Sequence, residues 1–202
     1  MVNSSIGWNI ARRSQLPPCS NAIVERWQAG NGIFTRSTRP EMEALVQISD
    51  RPNFGLPPLK PYFHFYAPKV PTHLVAEMLA RAREVGKREI LFYLNFARGT
   101  WDLNIPEQVA TSTSVRPLHE IASSYTSALI EVHSHHTMPA FFSPQDDCEE
   151  SGKFRIFAVM GQIFTRPTIS VRLGIYDCFS PLSATRVFEL PTDLTDAMSC
   201  NL

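Results

Sequence analysis

The sequence lacks an excess of charge of either sign. Nineteen lysine and arginine residues balance nineteen aspartate and glutamate residues in a chain of 202. Proteins that bind nucleic acid usually carry a clear basic excess or a basic stripe. We therefore expect no nucleic-acid partner, and a regulator acting on nucleic acid is the least favoured class of function.

Cysteine is scarce and is not paired in the sequence. No two cysteines form a C-x-x-C motif, so neither a zinc ribbon nor a disulfide framework is predicted. Free thiols in a reducing cytoplasm are the simplest interpretation. The four cysteines are Cys19, Cys148, Cys178 and Cys200.

Long hydrophobic runs are also missing. The longest are ILFYL (90–94) and IFAVM (156–160), whereas a membrane-spanning helix needs about 20 apolar residues. The first twenty residues contain no continuous apolar stretch of the kind found in secretory signals. We expect a cytoplasmic protein with no membrane partner, and we interpret both runs as buried strands.

Composition changes along the chain predict four regions. Residues 1–20 are polar and end near two prolines, which is typical of a flexible leader. Residues 21–60 contain a predicted β-hairpin around Asn31-Gly32 and then a proline-rich connector, so we expect a small β-rich N-terminal unit. Residues 61–190 form the predicted main domain, and residues 191–202 form a C-terminal tail.

The main domain mixes helices and strands without a regular βαβ repeat, which favours the α+β class. A helix is predicted from Thr72 to a glycine stop at Gly86, and a buried strand follows it. Residues 101–121 look less regular. A second helix is predicted to begin at Ser143-Pro144, after a strand that ends in histidines, and a β-hairpin around Arg166-Pro167 comes next.

The segment HSHHTMPAFFSPQD (133–146) carries the chemistry. His133 and His135 are two residues apart at the end of a predicted strand, so their side chains point to the same side. Two imidazoles on one side suit zinc, which also accepts carboxylate ligands. Asp146, in the first turn of the following helix, could supply the third ligand and leave one position for water.

This pattern resembles the JAMM (MPN-plus) family of zinc metalloproteases, whose signature H-x-H, seven residues, S-x-x-D is met by His133, His135, Ser143 and Asp146. The resemblance implies that the two histidines and the aspartate bind Zn²⁺ and that the serine stabilises the oxyanion. It also implies a glutamate base upstream, at the start of a strand, and Glu89 is its counterpart here. The implied fold is a JAMM/MPN-like (cytidine-deaminase-like) mixed sheet flanked by helices.

More narrowly, the segments HSHHTMPAFFSPQDD, NGIFTRSTRP and VRLGIYD resemble the PRTRC system protein A family. That resemblance implies a bacterial mobile-element cassette that also encodes ubiquitin-pathway-like components. The implied activity is hydrolysis of an amide or isopeptide bond at the tail of a ubiquitin-like protein.

Several assignments stay open at this point. Glu131 lies two residues before His133 and is a rival to Glu89 as the base, or a partner of a histidine. His136 stands where the family often has proline and is a possible competing ligand. Ser143 has an ordinary alternative role as a helix N-cap. The acidic residues Asp147, Glu149 and Glu150 are expected to form a solvated helix face.

Two other functions compete with the hydrolase. A JAMM fold can serve as a metal-free binding scaffold, although all four motif residues are present in this chain. A small-molecule metalloenzyme that cleaves an amide is the second alternative, and a deep narrow pocket would favour it over an open groove. The oligomeric state is not predicted.

Overall fold

The computed structural model describes residues 6–119 and 127–201, with the side chains of Cys200 and Asn201 left aside. It divides the chain into two compact units, residues 1–67 and 68–202. Residues 1–5 of the predicted leader, the thiol of Cys200 and the last residue of the predicted tail lie outside the described part. Within that part, no helix is long and apolar enough to cross a membrane.

Unit 1 is a sheet whose five described strands lie in sequence order. The hairpin predicted around Asn31-Gly32 is confirmed, since β2 and β3 pair antiparallel with Ala29 opposite Gly32. A small core on this sheet includes Trp27, Phe34 and Leu45. The strands are β1 (Ile6–Ile10), β2 (Val24–Ala29), β3 (Gly32–Arg39), β4 (Met42–Ser49) and β5 (Tyr62–Phe65).

The predicted flexible leader is instead attached to unit 1. Ile6–Ile10 form β1, which pairs in parallel with β2. Arg36, buried in an ion pair with Glu25, donates from Nη1 to the carbonyl of Pro17 at 2.8 Å. A buried guanidinium has more N–H donors than one carboxylate can accept, and the carbonyl of Pro17 accepts one of the remaining hydrogen bonds. Nothing in the polar composition of the leader signals this contact.

The predicted start of the main domain at residue 61 also differs from the structure. Tyr62–Phe65 form β5 as expected of an aromatic strand, but β5 pairs antiparallel with β4, with Phe63 opposite Ala44. The segment therefore closes the N-terminal sheet, and the boundary between the units falls after Ala67.

Unit 2 is a mixed α+β unit. Its main sheet, within the described residues, has seven strands in the order β13-β12-β11-β10-β6-β7, with β14 beside β12. The strands are β6 (Leu91–Ala97), β7 (Thr100–Asn104), β8 (Gln108–Ala110), β9 (Val115–Pro117), β10 (Ile130–Ser134), β11 (Lys153–Gly161), β12 (Thr168–Tyr176), β13 (Cys178–Leu182) and β14 (Thr195–Asp196). The helices are α1 (Thr72–Glu84) and α2 (Pro144–Glu150), and short 3-10 helices cover Ala184–Arg186 and Ala197–Asn201.

The central strand of this sheet is β10. It pairs in parallel with β11 on one side and antiparallel with β6 on the other. Because both edges are hydrogen-bonded and Ile130 and Val132 are fully buried, β10 is a rigid place from which to present side chains at its end.

Most elements predicted for the main domain are confirmed. Helix α1 begins at Thr72, and Gly86 follows its end with a φ of 70°, the left-handed conformation that favours glycine. The region 101–121, expected to be irregular, instead contains the short strands β7, β8 and β9. The C-terminal tail also differs from its prediction, because β14 pairs with β12.

Candidate metal centre

The end of β10 places two histidines side by side. His133 is within the strand, and His135 follows it, with its backbone N–H bonded to the carbonyl of Met160 on β11. The two imidazole centroids are 5.1 Å apart. The H-x-H spacing therefore brings both rings to one side of the sheet, as the alternation of a strand predicts.

The register between β10 and β6 places Glu89 at the same site. His133 lies opposite Leu91 at the end of this antiparallel pair, and the backbone N–H of Ser134 bonds to the carbonyl of Ile90 just beyond it, which brings Glu89 near His135. Directly opposed residues of antiparallel strands share a face. The distance from His135 Nε2 to Glu89 Oε1 is 3.7 Å, and both side chains are buried.

Asp146 reaches the site from α2. Ser143 is the N-cap of this helix, and its hydroxyl accepts the backbone N–H of Asp146. In return, the Asp146 carboxylate Oδ2 accepts the backbone N–H of Ser143 at 2.5 Å and the hydroxyl at 2.7 Å. This reciprocal capping box occupies one carboxylate oxygen and leaves Oδ1 to face His133 Nε2 at 3.5 Å.

The three side chains form a group that fits a metal ion. The ligand atoms of His133, His135 and Asp146 all lie within 4.8 Å of one another. Ligands of a tetrahedral zinc ion at bond lengths of about 2.0–2.1 Å are about 3.3 Å apart, close to the separation of His133 Nε2 from the carboxylate. Among the described residues, His133 Nε2 has no hydrogen-bond partner although it is buried. A ligand at this point would remove that cost.

The surroundings of both histidines suit metal binding. Burial, partly opposed by the Asp146 charge, lowers the pKa of His133 to about 4, so its imidazole is neutral at neutral pH. The ring Nδ1 of His135 lies 3.1 Å from the carbonyl of Pro139. A carbonyl only accepts, so Nδ1 is the donor in this contact, and Nε2 is the atom that lies towards Glu89. Such a contact is typical of a histidine ligand.

Glu89 has the properties of a proton acceptor at neutral pH. Burial, reinforced by the negative charges of Asp146 and Glu149, raises its pKa to about 7. Among the described residues, its Oε1 is buried without a hydrogen-bond partner. A carboxyl group with these properties beside a candidate metal centre is typical of a general base.

The rival residues are placed differently. Glu131 faces the same cavity, but Arg155 and Lys153 lie 2.7 and 3.6 Å from its Oε2. The Glu131 carboxylate is thus occupied by two ion pairs, whereas Glu89 Oε1 has no hydrogen-bond partner among the described residues. His136 is buried. It does not belong to the one group of side chains, among the described residues, that could hold a metal ion.

The site opens into a cavity of about 350 Å³. Its wall combines the carboxylates of Glu89, Glu131 and Asp146 with apolar side chains. Phe141 is 45% exposed and meets the His135 ring edge-on, 5.0 Å between centroids. The apolar part of the wall consists of Leu91, Val115, Met138, Phe141 and Pro144.

The loop after the histidines is held close to the end of β11. The backbone N–H of Gln162 bonds to the carbonyl of Met138 at 2.8 Å. A side-chain carbon at Gly161 would collide with the backbone of Ala140 and Pro139. Glycine at 161 therefore permits the approach that puts the Pro139 carbonyl beside His135.

Arg172 is the residue of this region that sequence reasoning missed. It contacts Asp147 and Glu150, so the helix face that was expected to be solvated is partly buried. Glu150 is 4% exposed. Arg172 lies 25 residues from Asp147 in the chain, and no motif links the two. The available signal was the spacing of Asp147 and Glu150, which puts two acids on one face of a helix, together with an arginine within the apolar strand sequence that follows.

The geometry thus defines a candidate metal centre of two histidines and one aspartate, with a buried glutamate beside it, at the end of the central strand of a mixed sheet. The chain belongs to the Prok-JAB family, the prokaryotic homologs of the JAB domain, whose sequence profile matches residues 71–174. The matched region runs from the start of α1 into β12 and includes every candidate site residue. The chain matches no curated protein.

Proposed function

We propose that the protein is a zinc-dependent metallohydrolase that cleaves an amide or isopeptide bond. The observation that carries the proposal is the convergence of His133, His135 and Asp146 beside Glu89, a buried glutamate with a raised pKa that lies just before β6. A scaffold has no need of an unpaired buried carboxyl group, whose presence costs stability. A hydrolase uses such a carboxyl group as its general base.

His133, His135 and Asp146 would hold the metal, with one imidazole nitrogen from each histidine and Oδ1 from the aspartate. A bound zinc ion would supply Lewis acidity, polarising the scissile carbonyl and acidifying a water molecule. The contacts of Pro139 and Ser143 to His135 and Asp146 fix the orientation of these ligands before the metal binds.

Glu89 accepts a proton from the attacking water molecule while the oxygen of that water bonds to the scissile carbonyl carbon. When the C–N bond breaks, the same carboxyl group delivers that proton to the leaving amine. A pKa of about 7 suits both steps, because the group is a base before the attack and an acid after it.

Ser143 is proposed to donate a hydrogen bond to the oxyanion, a contribution that amounts to about 3 kcal/mol in other enzymes. Its one hydroxyl proton is bonded to Asp146 Oδ2. The role in catalysis therefore requires the hydroxyl to turn from the carboxylate to the substrate.

For the substrate we propose the C-terminal tail of a ubiquitin-like protein, as a conjugate or as a precursor, with the chain acting as the PRTRC system protein A of its cassette. The support is the resemblance of the segments 31–40, 133–147 and 171–177, together with a cavity wall that offers apolar side chains beside the carboxylates. An extended tail has both apolar side chains and backbone amides to place there.

The test begins with zinc content. Wild type should hold about one zinc per chain, measured by elemental analysis, and the double variant His133→Ala/His135→Ala should hold none. Wild type without zinc, even after zinc is added back, would establish the scaffold function instead.

Turnover of peptide-tail fusions and of small amides then tests the base. Glu89→Gln should retain zinc and lose about 10²–10⁴-fold in kcat, because the amide cannot accept the proton. Glu131→Gln is the matched control on the same cavity wall and should retain turnover. Full activity of the Glu89 variant together with an inactive Glu131 variant would transfer the role of base to Glu131.

A further inference from the structure

The third ligand of the metal centre comes from a weak element. Asp146 lies in α2, a helix of seven residues, and helices shorter than about 12 residues are marginal on their own in water. The two histidines lie at the end of β10, His133 within it and His135 just after it, and β10 is paired on both edges. The position of Asp146 relative to the histidines therefore depends on what holds α2 against the sheet.

Arg172 on β12 makes that connection. Its Nε donates to Glu150 Oε2 at 2.8 Å and its Nη1 donates to Asp147 Oδ1 at 2.5 Å. The two acids are three residues apart and so lie on one face of the helix. The side chains of Arg172 and Glu150 are 10% and 5% exposed, so the charge-assisted bond between them is shielded from water, while the Asp147 carboxylate is 54% exposed.

The same guanidinium also contacts the chain where it enters the helix. Its Cζ lies 4.0 Å from the ring centroid of Phe142 and 3.9 Å from that of Phe179 on β13, distances at which a cation is attracted to an aromatic face. Phe142 directly precedes the N-cap Ser143, and its ring meets His133 edge-on at 6.4 Å. Arg172 thus contacts the segment 142–150 at both of its ends.

We propose that Arg172 is a positioning residue of the metal centre, which sets Asp146 at the distance from His133 that metal binding needs. The inference rests on the proposed function, since it concerns the same centre. Arg172 acts through Phe142, Asp147 and Glu150 and supplies no ligand atom. Lysine cannot replace it, because an ammonium group lacks the planar fork that serves two carboxylates and stacks on aromatic rings.

The test measures the zinc dissociation constant of the full chain by competition with a chromogenic chelator. Arg172→Lys should weaken zinc binding about tenfold or more, the range typical of residues that orient a ligand. Asp147→Asn, at a side chain that is 54% exposed, should fold without difficulty and weaken binding about threefold. Cobalt in place of zinc should give an altered visible spectrum in the Arg172 variant, which a loss of stability alone would not produce.

Glu149→Gln is the matched control. It removes one negative charge from the same helix, but its carboxylate accepts from Gln145 at 2.8 Å instead of from the arginine. Its zinc affinity should stay within about twofold of wild type.

Three other outcomes are informative. Wild-type affinity and an unchanged cobalt spectrum in Arg172→Lys would overturn the inference while leaving the proposed function intact. Equal losses in the Asp147 and Glu149 variants would also overturn it, by assigning the effect to charge alone. Absence of zinc binding in wild type would overturn the proposed function, and this inference with it.

Discussion

At the scale of single residues, two of the three candidate ligands, His135 and Asp146, use one polar atom for the fold and leave another for the site. His135 donates from Nδ1 to Pro139, and Asp146 accepts from Ser143 at Oδ2. The atoms left over are His135 Nε2, which faces Glu89, and Asp146 Oδ1, which faces His133. Orientation is therefore fixed before any ligand arrives, which reduces the ordering cost of binding.

Glu89 gives the metal-free protein a distinctive dependence on pH. Its pKa in the folded chain, about 7 because of burial, lies above the ordinary value of 4.5. The folded state then holds the proton more tightly than the unfolded state, so this stabilising contribution is complete below pH 4.5 and is lost as pH rises through 7. The shift corresponds to roughly 3 kcal/mol at most.

The measurement is urea unfolding of metal-free wild type and Glu89→Gln between pH 4.5 and 8. The variant does not titrate at this position, so the free energy of unfolding of wild type should fall relative to it by about 2–3 kcal/mol as pH rises. Two parallel curves would show that Glu89 titrates normally and would weaken its assignment as the base.

At the scale of elements, the site depends on register and loop contacts that the sequence does not display. The strands β6 and β10 were predictable from their apolar runs, and so was the start of α2 at Ser143. The pairing of β6 with β10, which brings Glu89 near His135, was not predictable. The sequence of a strand indicates which residues share a face, but it does not give the register with the neighbouring strand. The family resemblance supplied Glu89, and the geometry explains why that position faces the histidines.

The loop that carries Pro139 depends on Gly161 for its position. Gly161→Ala should lower the free energy of unfolding by about 1–3 kcal/mol, because its Cβ would collide with the backbone of Pro139 and Ala140. The shift of the Pro139 carbonyl should also weaken zinc binding about tenfold. Chemical denaturation and chelator competition measure the two effects.

Gly7→Ala is the control for the intrinsic effect of this exchange in a strand. A Cβ at Gly7 would have its nearest neighbour at 3.6 Å, an ordinary contact, so stability and zinc affinity should both stay near wild type. Identical behaviour of the two alanine variants would show that the loop moves freely and does not orient His135.

At the scale of the whole molecule, the candidate chemistry belongs to unit 2. The family match over residues 71–174 and all candidate site residues lie within it, whereas β1 to β5 form the sheet of unit 1. Composition predicted that a β-rich unit precedes the main domain. It did not predict β1, which lies in a polar segment whose composition is typical of a linker. It also did not predict the pairing of β5, because both strands depend on partners distant in sequence.

Zinc should couple two elements of unit 2 that the backbone joins only through a loop. The histidines lie at the end of β10 and the aspartate lies in α2, so opening either element releases the metal. At a zinc concentration about 100 times the dissociation constant, the opening equilibrium of each should fall by about 100-fold, or about 2.7 kcal/mol. Hydrogen exchange of peptides covering β10 and α2 measures this directly, and His133→Ala/His135→Ala should show no change on adding zinc. Protection of α2 alone would mean that zinc binds to the acidic helix and not between helix and sheet. The assignment of His133, His135 and Asp146 as the metal ligands would then be wrong.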